Sequence, residues 1–540
     1  MKLKLLFALL IVTISNAQTQ VGQDIVGDMA DDKFGHGVAL SADGSVMAVS
    51  APGNDNNGAN AGHIRVYSKA SGTWTQIGQD IEGTNADDQI GYKIAISDDG
   101  STLAFSTITK KEITPSTYYG NIIKVGSISI YKNVNGSWVQ IGQELREDDP
   151  SPIFGQTSGF GLSFSLSSDG TTIAIGQNSA QNYNNKVIIY KFIFGNWAKI
   201  KEIISNDYNV TPNAEDFFTS HSEFAWNVYL SGDGNTLAFS DITGNTLSSV
   251  NESGIVIVYK YQSGAWIKVG NTLSGKSKNI NFGHRVQLSA DGSILAISVR
   301  GSSVGGAGSG HVEVYKIMGN NWVQIGNDIV GDAAMDFCGQ GLAMSANGNA
   351  LAIGCTGCDT VNGTDTGKVR IFENIQNNWI EKGSVIGANA GDKIGWSIAL
   401  SKDGYNLAVG NSGSSSVGGK PYTTNFEEQT VSDNLLQANN YQAKGTFPGS
   451  VQVFNLSGIL SSDTFVLQNF NIYPNPTTDI LNIELKENLS LEKVFIYNTN
   501  GQLVKETSEK TINVNGFAKG IYNVQVLTNQ GNATKKIIVK

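Results

Sequence analysis

Histidines, cysteines and paired carboxylates are where this chain would carry bond-breaking chemistry, and all three are thin. The five histidines are His36, His63, His221, His284 and His311. No two of them stand at His-Glu-x-x-His or another short metal-ligand spacing, which a zinc hydrolase needs to bring two imidazoles onto one ion. His63 and His311 open equivalent strands of a repeated unit and read as surface residues, while His36 and His284 could meet only across a shared axis. The acids Asp216, Glu223, Glu427 and Glu428 could form the carboxylate pair of a glycosidase, but they read as a solvated acidic rim. No Gly-x-Ser-x-Gly or Gly-x-x-x-x-Gly-Lys-Ser run here stands in the strand-turn-helix setting of a nucleophile elbow or a phosphate loop, and a dinucleotide fingerprint is missing. No catalytic residue, metal ligand or cofactor is assigned.

The three cysteines, Cys338, Cys355 and Cys358, lie in one repeat. In an exported protein two of them can be oxidised to a disulfide. A hairpin turning at Asn347-Gly348 sets Cys338 opposite about position 357. Cys358 or Cys355 is then in reach and one thiol is left over; Cys338–Cys358 is the candidate bond. A Cys-x-x-Cys metal or redox pair at 355 and 358 would lack a second ligand pair.

The elements that must position these residues repeat seven times. A small residue (Gly35, Gly91, Gly161, Ala225, Gly283, Gly339, Gly395) is followed eight positions later by Asp43-Gly44, Asp99-Gly100, Asp169-Gly170, Asp233-Gly234, Asp291-Gly292, Asn347-Gly348 or Asp403-Gly404. Successive turns lie 56, 70, 64, 58, 56 and 56 residues apart, room for four short strands each, so the array predicts a β-propeller. Alternation such as Val38-Ala39-Leu40-Ser41 marks an inner strand, and the Asp-Gly pair supplies the positive backbone angles of a two-residue hairpin. The second strand carries Ala48, Ala104, Ala174, Ala238, Ala296, Ala352 and Ala408, each where a facing sheet comes close. The third ends in Tyr67, Tyr131, Tyr190, Tyr259, Tyr315, Phe372 and Phe454. Only six outer strands open on a tryptophan: Trp74, Trp138, Trp197, Trp266, Trp322 and Trp379. The seventh is expected from the N-terminus, because Gln20 to Ile25 copies Gln76 to Ile81, and pairing it with strands from about residues 395 to 456 would close the ring and remove exposed edges.

The connections differ between the two faces. Every long insertion (Thr107 to Gly126, Gln143 to Gly159, Ile203 to Phe224, Asn411 to Gly449) falls on the face opposite the tight Asp-Gly turns, the usual mark of a binding face. These insertions carry Tyr118, Tyr119, Phe217, Phe218, Tyr422 and Phe426, which offer large contact area at low conformational cost. The first position after each small residue lies at the channel mouth on that face, and there the repeats disagree: His36, Tyr92, Leu162, Trp226, His284, Gln340 and Trp396. These side chains are the candidate ligand-binding set. A channel plug is the other reading of them. Asp32, Asp88, Asp336 and Asp392 recur three residues before the small residue, which favours a turn or cap role.

With 63 glycines against 9 prolines and 16% charged residues, the composition fits a turn-rich all-β protein. Met1 to Ala17, with Lys2, Lys4, an apolar run from Leu5 to Ile14 and small residues to Ala17, reads as a cleaved signal peptide. No other stretch reaches membrane-spanning length. The chain has net charge −10; the leader contributes +2 and Phe470 to Lys540 contributes +2, leaving −14 between them. Such a surface repels phosphate backbones, so nucleic acid is excluded as a partner.

The run from Phe34-Gly35 through Ser50-Ala51-Pro52-Gly53 to Gly62-His63-Ile64-Arg65-Val66-Tyr67 resembles the FG-GAP repeat of integrin α-chain propellers, which implies partner recognition at a cell surface. That family often carries an Asp-rich calcium loop in the first hairpin, whereas Ser-x-Asp-Gly has too few oxygens for one. From Phe470 the chain resembles the type A C-terminal sorting domain of the type IX secretion system of Bacteroidetes, on Tyr473-Pro474-Asn475-Pro476, Asn500-Gly501, Lys519-Gly520 and Lys535-Lys536. That resemblance implies a small β-sandwich read by the secretion machinery at the outer membrane, with the passenger released or attached there. The expected organisation is therefore a signal peptide (1–17), a seven-bladed propeller (18–456), a linker (457–469) and a sorting domain (470–540). The expected function is a secreted or surface-attached adhesion protein recognising a glycan or a surface protein. A carbohydrate-active propeller enzyme and an architectural envelope component are the alternatives.

Overall fold

The computed structural model describes residues 19–113, 122–146, 159–178, 185–204, 223–244, 253–278, 280–412, 448–457, 460, 464–486, 489–498, 503–528 and 531–540. Among the described residues the chain is all-β apart from a helix at Thr464–Asn469. Among the described residues up to Asn455, the strands form seven antiparallel sheets of four or five strands. Six are sequential meanders, such as Gly37–Leu40, Val46–Ala51, His63–Ala70 and Thr73–Gln76. The last joins Ser397–Leu400, Asn406–Asn411 and Ser450–Asn455 to Thr19–Gln20 from the start of the chain, with Gln20 opposite Phe454. Each inner strand touches the inner strand of the next sheet, and the one at Ser397–Leu400 touches that at Gly37–Leu40. The arrangement is propeller-like.

The seven turns, six Ser-x-Asp-Gly and one Ser-x-Asn-Gly, are stitched together by main-chain hydrogen bonds. Lys402 N–H donates to the Ala42 carbonyl, Ala42 to Asp98, Asp98 to Ser168 and Ser168 to Gly232. Asp233 continues to Ala290, Ala290 to Ala346, and Ala346 to Lys402, where the series began. Each turn is longer than a two-residue hairpin. Ser41 pairs with Val46, so four residues intervene, and of the Asp-Gly pair only Gly44 has positive φ, at 66°. The Asp43 carboxylate explains the difference: it accepts from the hydroxyls of Ser41 and Ser45 and from Ser45 N–H, holding an Asx-type turn. Its Oδ1 is thereby engaged within the turn.

Outer seams repeat as closely. The indole N–H donates to a carbonyl of the preceding sheet's outer segment from Trp74 to Val21, Trp138 to Ile77, Trp197 to Ile141, Trp322 to Val269 and Trp379 to Ile325. Trp74 thus meets the N-terminal segment as Trp138, Trp197, Trp322 and Trp379 meet their own neighbours, while the buried Trp266 indole N–H has no such partner among the described residues. The alanines of the second strands pack at the same seams, with Ala48, Ala104, Ala174 and Ala238 fully buried.

A third-strand residue crosses each of three seams as an ion pair, with signs that reverse. Arg65 meets Asp28 at 2.5 Å and Arg370 meets Asp332 at 3.3 Å, whereas in the fifth sheet Glu313 meets Lys276 at 3.1 Å. The geometry demands opposite charges, not a particular order of them. His63 and His311 are buried in this layer, contrary to the surface position expected for them; each opens a third strand that the neighbouring connection covers.

The Thr107 to Gly126 insertion is not a loop throughout. Strands Thr102–Ile113 and Ile122–Val134 pair as far as Ile113 with Ile122, past a bulge at Val125/Ser127, and form a long two-stranded ribbon.

Beyond Thr464 the chain forms a three-stranded sheet (Phe470–Tyr473, Ile480–Leu485, Thr511–Asn513) and a four-stranded one (Leu491–Asn498, Leu503–Thr507, Gly520–Thr528, Gly531–Val539). They share a core of Phe470, Leu481, Val494, Ile496, Val524 and Ile537.

Candidate binding site at the open end of the lumen

At the end away from the turns, each inner strand begins at the recurring small residue, and the backbone explains why it is small. All seven have positive φ, from 61° at Ala225 to 103° at Gly395. A Cβ on Gly91, Gly283 or Gly339 would also sit 2.6 Å from the Cβ of Ser50, Ser240 or Ser298 in the preceding sheet. The kink aims the next side chain toward the space the inner strands enclose.

The side chains at that next position meet one another across sheets. His36 and Tyr92 rings lie 5.0 Å apart, and Trp226 and His284 rings 6.1 Å apart. Arg285, one residue further on, holds its guanidinium 6.0 Å from the ring of Trp396, two sheets away, and donates from Nε to the Gln340 carbonyl at 3.2 Å. Trp396 is 46% exposed, Gln340 and His284 are buried, and His36, Tyr92, Leu162 and Trp226 are half-buried. His36 and His284 pack on different aromatic partners, and among the described residues neither belongs to a cluster able to hold an ion.

Electrostatics here are set by crowding without acids. Burial, with Lys33 and Arg285 nearby, pushes the His36 imidazole down to about 4, and burial holds His284 well below its usual value, so both are neutral at pH 7. Lys93, beside Tyr92 in sequence and half-buried, is lowered to about 7 by burial and then by Arg285. Lys93 and Arg285 escaped the sequence reading because they stand one place beyond the varied position. A signal was there: of Gly37, Lys93, Ser163, Asn227, Arg285, Gly341 and Ser397, only these two are charged.

The remaining candidates separate. Tyr118, Tyr119, Phe217, Phe218, Tyr422 and Phe426, and the acids Asp216, Glu427 and Glu428, lie outside the described residues. Glu223 is buried, not solvated: its carboxyl is pushed up to about 8 by burial and by Asp241, with Asn178 donating at 3.4 Å. Asp88 accepts from Thr84 and Asn85 N–H, Asp336 from Ala333 and Asp392 from Asn389, each closing a turn.

The disulfide joins Cys338 to Cys355, not to Cys358. A bulge between Cys338 and Gly341 shifts the register by two: Leu342 faces Ile353 as the turn dictates, but Cys338 faces Cys355. Cys358 keeps a buried thiol, raised to about 12 by burial and Asp336. The other metal-like cluster, His311, Glu313 and Asp328, is already engaged: Glu313 accepts from Lys276 and Tyr315 and contacts His311, and Asp328 accepts from Gln324.

The Tyr473-Pro474-Asn475-Pro476 segment is tied to the basic last strand. Asn475 donates to the Lys536 carbonyl at 3.0 Å and accepts from Ile538 N–H at 2.9 Å. Lys535 caps the Phe470 carbonyl and lies 4.5 Å from that ring. Tyr473, Gly520 and Lys536 remain exposed; Gly501 lies outside the described residues.

Residues 471–540 match the family of secretion system C-terminal sorting domains, and residues 27–67 match the FG-GAP repeat. The sorting domain assigns the chain to the type IX secretion route and to the cell surface or exterior. No helix among the described residues is long and apolar enough to cross a membrane. An ulvan lyase, NLR42, of Nonlabens ulvanivorans is 39% identical over 89 residues, 15% of this chain and 16% of that protein. The chain therefore spans about a sixth of the length of that curated relative. Among solved structures, the periplasmic gluconolactonase PpgL of Pseudomonas aeruginosa aligns at 14% identity over 88% of this chain and 95% of that one, with TM-score 0.41. A protein from Lactobacillus plantarum aligns at 12% identity over 65% and 84%, also with TM-score 0.41.

Proposed function

We propose that the seven sheets are blades of one closed propeller (18–456) that, once exported, binds an extracellular glycan or surface protein at the open end of its lumen. In this reading residues 1–17 are removed on export, 457–469 link the propeller to the sorting domain, and 470–540 engage the secretion machinery. One observation carries it. A frame that repeats its turn seven times presents a varied set of side chains at this end, His36, Tyr92, Leu162, Trp226, His284, Gln340 and Trp396; three of them, Tyr92, Trp226 and Trp396, offer ring faces, and Arg285 lies against Trp396. Aromatic faces beside a few polar groups form a recognition surface at low entropic cost.

The test is a glycan array and a cell-surface pull-down with the exported chain, repeated with Trp226→Ala and Trp396→Ala. Binding that falls about tenfold or more in either variant, at unchanged thermal stability, supports the reading. Undiminished binding in both contradicts it. A carbohydrate-active enzyme is the second reading, favoured by the match to a lyase over 89 residues. Release of shortened sugars from the bound glycan would move the account to it.

A further inference from the structure

Resting on that reading of the mouth, we propose that its ligand is an acidic saccharide, one bearing a uronate carboxylate or a sulfate ester, with Arg285 and Lys93 as the pair that holds the anion. The layer beneath the mouth consists of Gly37, Lys93, Ser163, Asn227, Arg285, Gly341 and Ser397 and contains no acid. Ser163 and Asn227 are used by the fold, accepting from Val228 and Val286 N–H. The two cations are not. Arg285 gives one hydrogen bond, to the Gln340 carbonyl, and Lys93 lies 5.8 Å from the Phe164 ring; neither has a carboxylate partner among the described residues.

Two enclosed cations elsewhere are paired with acids. Arg65 has Asp28 and Asp80, and Arg370 has Glu381 and Asp332. Crowding a cation without a counter-charge is costly, and an anion entering the mouth would relieve that cost at two residues at once. A guanidinium presents a planar fork of donors that matches carboxylate or sulfate oxygens.

A second, independent observation points to the rest of the ligand. His284 Nδ1 and Gln340 Oε1 are buried at the mouth, 7% and 2% exposed as residues, and have no hydrogen-bond partner. Buried polar atoms are normally paired, and a polyhydroxylated ring supplies both donors and acceptors beside the charge. Trp396 and Trp226 offer faces against which the apolar side of such a ring packs. An aliphatic acidic peptide would satisfy the cations but leave the ring faces unused.

The experiment is calorimetric titration of the full exported chain with trigalacturonate, a sulfated galactotriose, neutral galactotriose and triglutamate. At least one acidic sugar should bind about tenfold or more tightly than the neutral one, and the tighter of the two identifies the anion as carboxylate or sulfate. Arg285→Gln and Lys93→Met should each erase that preference without lowering the melting temperature. Equal binding of neutral and acidic sugars, tighter binding of triglutamate, no binding of any sugar, or wild-type preference in both variants overturns the inference. Trp396→Ala separates it from the broader reading: if cell-surface capture falls with Trp396→Ala but not with Arg285→Gln, the mouth is the binding site and the acidic ligand is wrong.

Discussion

The two ends of the lumen are built from the same seven inner strands and solve opposite problems. At the turn end, main-chain hydrogen bonds run from turn to turn and return to Lys402, and the cation there is balanced, Lys402 standing 3.8 Å from Asp98 across two sheets. At the other end the strands carry seven non-equivalent side chains, two cations with no described acid beside them, and buried polar atoms without partners. Identity follows where every sheet meets the same neighbour. Where the side chains face open space, packing no longer dictates the residue, and in the proposed reading the sequence is free to serve a ligand.

That contrast can be broken at either end. The largest effect is expected at the turns: Gly44→Val places a β-branched residue at φ 66° with its Cβ 2.6 Å from that of Asn406, and should lower stability by about 3 kcal/mol in urea denaturation. An unchanged midpoint would show that the turn circle is not what holds that end. Cys355→Ser opens the bond to Cys338, 17 residues apart in sequence, and should cost about 2–3 kcal/mol; the same loss should appear in wild type under reductant.

Two pH experiments then sharpen the open end. Glu223 has its folded pKa raised to about 8, so the unfolded chain releases this proton first and stability falls as pH rises from about 4.5 to 8. Glu223→Gln should therefore be more stable than wild type at pH 8, on the order of 2 kcal/mol, and gain little at pH 4. Lys93 shifts the other way. Its folded pKa is lowered to about 7, so the unfolded chain holds the proton longer and stability rises between about 7 and 10.5. The charged group that bears on it is Arg285, and Lys93→Met should flatten that rise in melting curves taken across the range. The smallest effect is Trp396→Ala, whose side chain is nearly half exposed: stability should stay within about 0.5 kcal/mol of wild type. A larger loss would favour the channel-plug reading of the mouth.

Much of the frame was legible because it repeats. The Trp74-to-Val21 contact could be anticipated from Gln20 to Ile25 copying Gln76 to Ile81, since identical seams need identical residues. What repetition cannot show is local register. The two-residue bulge that moves Cys338 from position 357 to Cys355 follows from the positive-φ kink at Gly339, and period-two counting passes over it. The turn was misjudged for a related reason: Asp-Gly pairs suit two-residue hairpins, but the flanking serine hydroxyls recruit the carboxylate into a longer turn. At the mouth, disagreement among repeats singled out the side chains that gather at the open end, yet Lys93 and Arg285 gain their meaning only from three-dimensional neighbours. Arg285 reaches Trp396 over 111 residues of sequence, from 285 to 396, and no spacing rule connects them.

The most direct test of the account is a crystal structure of the exported chain grown with an acidic trisaccharide. The sugar should lie at the open end, its anionic group on the Arg285 guanidinium and a ring face on Trp396. Density for it at the turn end, on the outer seams, or nowhere on the molecule would contradict the account.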